Sequence, residues 1–293
     1  MIRQLLLIPH IKIHNANALS SPFTIGFPAM TAWLGATHAL QRKLNNDGFK
    51  SLVFKATGVL SHNADLQTFK GVGDYVHSIV GTGNPLDKNG NRPSFIEEAR
   101  IHLEVSLVIE LEGLEKIDEE RFLERVYHYL LGHMKMASGD IFSSKKPILT
   151  RPDDKVEKEL ISFRKKLMPS YAIVERKDLM IEAMHSGADA VDAMLDYLSL
   201  HHSCTKDDEK VLWNSERKVS GWIVPIAVGF QGISPIGKAK NQRDVNTPHR
   251  FAESVVTLGE FKMPYKITSI DEILWRYSYD EEESLYLCEQ TKN

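Results

Sequence analysis

Two hydrophobic periods alternate along the first half of this chain, and their order limits the folds open to it more than any other feature. Residues 5–13 (LLLIPHIKI) begin as an apolar run and pass into alternation, the pattern of a strand. After a turn rich in Asn, Ser, Pro and Gly, the residues Met30, Trp33, Leu34, Thr37, Leu40 and Leu44 recur at helical spacing, and the NNDG tract at 45–48 stops that helix. Pro28 suits the first helical position, where its missing N–H is no loss. Gly35, inside the helix, predicts a backbone packed closely against it. Residues 51–60 read as a second strand and 101–111 as a third. Asp118 is placed to cap a second helix, with Glu119 and Glu120 favourable to its dipole and Ile117 facing Phe122 as a hydrophobic staple. Leu123, Val126, Leu130 and Met134 carry its apolar face towards Gly139, and a short strand over 140–149 follows.

Strand, helix, strand, strand, helix, strand is the order of the split βαβ, or ferredoxin-like, unit. The expected fold is α+β: a ferredoxin-like, RRM-like βαββαβ core over residues 1–150, and a C-terminal α+β extension over 151–293 packed on it. A long insertion, 61–99, follows the second strand; it shows little period and is interrupted by Gly71, Gly73, Gly81, Gly83, Pro85, Gly90 and Pro93. In the extension the pattern predicts a helix over 153–167, a short strand at 171–174, a helix over 187–200 and a short helix at 270–275. RNA-recognition modules offer the open face of such a sheet to single-stranded bases. The fold hosts many other activities, so function has to come from particular residues.

The most informative residues lie in 221–261, where a β-branched run (222–230) and a Val/Thr-rich run (254–261) read as two strands. Between them, Gly229, Gly232, Gly237, Pro235 and Pro248 exclude a long regular element, and Lys238, Lys240, Arg243 and Arg250 face one acid, Asp244. Glycines let backbone N–H groups approach an anion, and clustered cations favour a polyanion, so the loop 229–250 is a candidate phosphate contact. The plainer reading is a solvated basic loop. His249 and Phe251, beside Arg250, are the candidates for stacking on bases, whereas Trp222 and Phe230 are expected in the core. GISPIGKA at 232–239 imitates a nucleotide-binding phosphate loop but fails it: Ala239 has no hydroxyl for magnesium, and Pro235 removes an N–H from the cradle.

Composition narrows the rest. With 293 residues, 42% hydrophobic and 26% charged, the chain suits one large or two ordinary globular domains, and no apolar run reaches the length of a membrane span. Two cysteines, Cys204 and Cys288, give no disulfide framework or zinc ribbon, and no secretory signal precedes the first strand, so a cytoplasmic protein is expected. The net charge of −3 hides a segregation: eight acids and two cations between Glu104 and Glu124, against the basic loop. That asymmetry suits one nucleic-acid face and others that meet protein. Twelve histidines include His10 and His14 near the first strand's end, His128 and His133 at a spacing that does not share a helix face, and the HHSC tract at 201–204, none with metal-ligand spacing. No metal or cofactor is expected. A metal-free ribonuclease working through His, Tyr or Lys leaves no signature and stays open.

NANALSSPFTIGFP (15–28), followed by AMTAWLGATHAL (29–40), resembles the start of the Csy family of subunits that cap the guide RNA 5′ handle in type I-F CRISPR surveillance complexes. GWIVPIAVGFQGI and TPHRFAESVVTLGEF are similar to that family's C-terminal region, while 61–210 matches mainly in the order of its elements. The resemblance implies a group-five Cas protein of the repeat-associated mysterious protein (RAMP) superfamily, without cofactor and without catalysis. It would bind the crRNA 5′ handle, pair with the large Csy subunit, abut a backbone Csy subunit and meet target DNA only through the complex. The insertion 61–99 would be a thumb. Asn15, Asn17, Ser20 and Ser21 would read bases or 2′-hydroxyls, or would merely build turns; the helix start at Pro28 would offer N–H groups to a phosphate, and Lys238, Lys240, Arg243, His249 and Arg250 would hold the RNA backbone and bases. Some relatives cut RNA, so the alternative is a metal-independent endoribonuclease processing CRISPR repeat RNA.

Overall fold

The first strand is longer than its apolar run. β1 (Leu5–Asn17) pairs antiparallel with β3 (Arg100–Glu112), and a register shift between Ile8 and Ile11 brings His10, at φ 53°, onto the ladder's surface. β3 pairs in turn with β2 (Val53–Leu66), which continues past the predicted end so that the insertion begins near residue 67. The predicted fourth strand is two pieces on the outer edge of β1: β4 (Gly139–Ser143) and β5 (Ile148–Thr150). The computed structural model describes residues 3–82, 85–93, 96–153, 155–207, 210–242 and 244–290.

The chain is an α+β protein built on one large antiparallel sheet. Beyond β2 the sheet continues through β6 (Tyr171–Glu175), β8 (Ala252–Lys262), β7 (Ile223–Gly232), β10 (Leu285–Gln290) and β9 (Trp275–Asp280). β9 comes back to pair with β2 through Trp275 and Thr57, so this second set of strands closes on itself. Two helices, α1 (Met30–Asn46) and α2 (Glu119–His133), share a core with the sheet: Trp33, Leu40, Leu44, Phe122, Val126 and Leu130 pack on Ile11, Ile13, Leu103, Val105, Ile173 and Ile226. The sheet's other face is covered at one end by α3 (Glu157–Leu167), whose Leu160, Phe163 and Leu167 bury Leu5, Leu7, Leu60 and Val108. α4 (Lys177–His185) and α5 (Ala190–Leu198) form a third cluster with Ile223 and Leu258.

Several local expectations are corrected. α1 begins at Met30, because the Pro28 carbonyl is held by Trp33 Nε1 at 3.2 Å and Ala29 stands in the cap position without a side-chain cap. Among the described residues outside its own helix turn, no atom lies within 4 Å of a Cβ built on Gly35, so no neighbouring backbone of theirs packs there. Ile117 is exposed, so it does not staple to Phe122, and α2 ends at His133 as a tight turn at Ala137 and Ser138 leads into β4. His128 and His133 do meet, with ring centroids 5.1 Å apart. At 270–275 a 3-10 turn (Ile270–Ile273) runs into β9, a strand the aromatic and polar mixture of WRYSYD hid.

Candidate nucleic-acid interface

β7 and β8 form the predicted pair of strands, paired from Ile223↔Glu260 to Gly232↔Ala252 with a register shift between Ala227 and Gly229, and the basic loop joins them. Its glycines act differently from the expectation. The Gly232 N–H donates to the Ser284 carbonyl and the Gly237 N–H to the His249 carbonyl, so neither amide is free for an anion. Gly229 is a close approach instead: a Cβ there would fall 2.0 Å from the Tyr286 carbonyl oxygen. Gly232 makes room for a side chain, since its Cβ would lie 2.5 Å from Arg250 Cδ. The loop thus holds itself together through backbone bonds and presents side chains outward.

Those side chains surround a cavity of about 250 Å³ at the loop's base, lined by Phe230, Ile236, His249, Arg250, Tyr279 and Tyr286 among others. Phe230 is half-exposed there, not in the core, and Trp222 is also largely exposed. His249 packs edge-on against Phe251 at 5.0 Å. Arg250 Nε is buried and has no hydrogen-bond partner among the described residues; Arg164 Nε is in the same condition. A buried guanidinium N–H without an acceptor carries a desolvation cost that an entering oxygen would relieve. Lys238 and Lys240 are exposed on the loop, and no ion pair engages them among the described residues. Arg243 lies outside the described residues.

The Asn/Ser turn is assembled elsewhere. Asn17 Nδ2 donates to the Leu19 carbonyl at 3.0 Å, while the Leu19 N–H donates to Asn17 Oδ1 at 3.1 Å. Ser21 is buried, its Oγ 2.7 Å from Thr24 Oγ1, and Ser20 Oγ is 2.8 Å from the same atom. These three side chains build the turn. Asn15, at φ 53°, donates its N–H to His102 Nδ1 at 3.1 Å and leaves its amide group exposed. A cavity of about 350 Å³ lies between this turn and the start of α1, lined by Asn17, Ser20, Pro28, Gly35, Lys135 and Ser138 among others.

The turn and the basic loop are not side by side. Phe27, which closes the turn, meets Phe261 at 5.3 Å, near Trp222 and therefore at one end of the β7–β8 hairpin. The loop closes the other end, beyond Ala252, and that length of strand spans about 30 Å. The hairpin's own length separates them.

A cluster with no signature in the linear sequence lies on β1, β2 and β3. His10 stacks on His62 at 4.2 Å; His10 Nδ1 is 2.7 Å from Glu104 Oε1, and His62 Nε2 is 2.7 Å from Ser106 Oγ. Burial pushes the His62 imidazole below its ordinary range, and the hydrogen bond to His10 holds Glu104 below its own. No group of His, Cys, Asp and Glu with metal-binding geometry occurs among the described residues, and no described helix is long and apolar enough to cross a membrane.

The family model described as CRISPR-associated protein (Cas_Csy2) matches residues 6–288. The chain belongs to the Csy2 family. CRISPR-associated protein Csy2 from Pseudomonas aeruginosa (strain UCBPP-PA14) is 30% identical over 310 aligned positions, which take in 96% of this chain and 94% of the relative. The Csy2 match therefore runs through both candidate segments and through the less distinctive middle, 61–210.

Proposed function

We propose that this Csy2-family chain is a non-catalytic RNA-binding subunit of a type I-F CRISPR surveillance complex, capping the 5′ handle of the guide RNA for interference with foreign DNA. The observation that carries the reading is Arg250, which lines an aromatic-rich cavity at the base of the loop that bears Lys238 and Lys240 and whose buried Nε has no hydrogen-bond partner among the described residues. A cation plus π-faces at the end of a basic loop is the combination that holds a base and its phosphate. We read Asn15 as a second contact, with Asn17, Ser20 and Ser21 shaping the turn that presents it, and the first turn of α1 as open to a phosphate. We take the order β4–β1–β3–β2, with α1 and α2 on one face, as a ferredoxin-like core within 1–150, and 151–293 as its extension.

Exposed Ile181, Met184, Val191 and Leu195 on α4 and α5 supply the apolar surface we assign to a protein neighbour, in keeping with a large Csy subunit and a backbone subunit as partners. The test is binding of a labelled handle RNA to the chain within its complex, comparing wild type with Arg250→Ala. A tenfold or greater loss is expected, and unchanged affinity would overturn the assignment.

One observation favours a second reading. The His10–Glu104 pair beside Ser106 has the elements of acid–base chemistry, so the chain would be a metal-independent endoribonuclease acting on repeat RNA. Incubation with repeat RNA and a chelator decides it: defined fragments support cleavage, and intact RNA supports capping.

A further inference from the structure

The sheet formed by β4, β1, β3 and β2 has two unlike faces. One is sealed by α1 and α2. On the other, α3 covers only the end that holds Leu5, Leu7 and Val108, and the rest carries rings. His14 lies between Phe142 and His102, parallel to Phe142 at 5.1 Å and 5°, and 4.8 Å from His102. Four residues back along β1, about 13 Å of strand, His10 and His62 form the second stack. Phe142 is 73% exposed, a large apolar ring on a polar sheet with no covering element among the described residues.

The hydrogen bonding fixes the His62 ring in place. The Pro169 carbonyl, 2.6 Å from His62 Nδ1, can only accept, so Nδ1 carries the proton and Nε2 accepts from Ser106 Oγ. Ser106 Oγ in turn accepts the His10 N–H at 3.0 Å. Every polar atom in that chain is satisfied, which suits a rigid platform. The acids beside the rings are engaged: Glu104 by its hydrogen bond with His10, and Asp140 by Lys135 at 2.7 Å. Asp65, opposite His102 on β2, accepts from Gln67. Lys12 and Lys145 are exposed beside the rings, the first acting on Glu104 and the second on His62, and neither is in an ion pair among the described residues.

We propose that this open face is a second RNA contact, on which a single-stranded segment stacks bases against Phe142, His14 and His102 while Lys12 and Lys145 take its phosphates. Exposed π-faces beside unmatched cations favour a single strand over a protein neighbour, whose docking would want the apolar character seen on α4 and α5. The inference rests on the RNA-binding reading above. It goes beyond the loop by extending the contact across the sheet, starting where Asn15 donates to His102.

The experiment is equilibrium binding of a fluorescein-labelled handle oligoribonucleotide to the full chain. It compares wild type, His14→Ala with Phe142→Ala, His14→Ala with Phe142→Tyr, and Lys238→Ala with Lys240→Ala; melting temperatures are recorded for all. The face variant is expected to bind about tenfold more weakly, the size of one base–aromatic stack. Restoring a ring at 142 should recover part of it, and the melting temperature should hold because Phe142 is exposed. A face variant within twofold of wild type, alongside a weakened loop variant, overturns this inference and leaves RNA binding by the loop intact. If neither variant weakens binding, both readings fall.

Discussion

Arg3 and Asp271, 268 residues apart, meet as a two-point fork, with Nη1 2.7 Å from Oδ1 and Nη2 on Oδ2. Arg276 Nη2 joins them at 3.0 Å from Asp271 Oδ1 and 2.9 Å from Glu110 Oε2, so four charges tie the first residues to β3 and β9. The Arg3 bond holds the Asp271 carboxyl below its ordinary range against the opposing effect of burial. Because the folded value is depressed, the stabilisation is present above the ordinary aspartate value of about 4 and is lost as pH falls through the folded one. Asp271→Asn should cost about 2 kcal/mol at neutral pH and flatten the acid limb of a stability–pH profile. Urea unfolding from pH 7 to pH 3 checks it, and an unchanged acid limb would contradict the assignment.

Gly35→Ala should stabilise the protein by about 1 kcal/mol, since alanine is the better helix former and nothing lies within 4 Å of the new Cβ. If handle RNA occupies the adjacent cavity, the same variant also weakens binding. Thermal unfolding gives the first quantity, and a fall in stability would show that the helix meets a neighbour at Gly35.

Gly232→Val should displace the Arg250 side chain, whose Cδ lies 2.5 Å from where a Cβ would stand. RNA affinity is expected to fall as far as in Arg250→Ala, with a second Arg250→Ala change adding little. Full additivity in this double-mutant cycle would mean that the two residues act apart.

Lys238→Ala with Lys240→Ala should flatten the salt dependence of RNA binding. Removing a cation from one phosphate lowers the slope of log K against log salt by about 0.7 for a single strand. An unchanged slope would place the loop away from the RNA.

How far the residues alone led follows from the physics of each element. Strands and helices with one buried face were legible: Trp33, Leu40 and Leu44 on α1, the alternation in β3, and the β7–β8 pair flanking the loop. β9 and β10 were not, because WRYSYD and LYLCEQ mix aromatic and polar residues on strands that are only half covered. The hairpin His201–Asp207 with Lys210–Glu216 was missed for a related reason: it exposes Val211, Leu212 and Trp213 and so shows no buried face to pattern it.

Among the site residues, charge and position singled out Arg250 and His249, which do line a common cavity. Phe230 looked like core because strand aromatics usually pack, and only the return of β10 past Gly229 shows that it borders that cavity instead. The His10–His62 and His14–His102 contacts join residues far apart in sequence, and only strand register brings them together. Alternation with Ile11 and Ile13 puts His10 and His14 on one face of β1, but their partners His62, His102 and Phe142 follow only from how the strands pair.

The most direct test is photo-crosslinking of guide RNA carrying 4-thiouridine in its 5′ handle, within the assembled complex, with the attached residues mapped by mass spectrometry. Attachment at Phe230, His249, Tyr279 or Tyr286 is the predicted result. Handle nucleotides that attach only to other subunits, with none on the loop from 229 to 251, would contradict the central claim that the Arg250 cavity grips the guide.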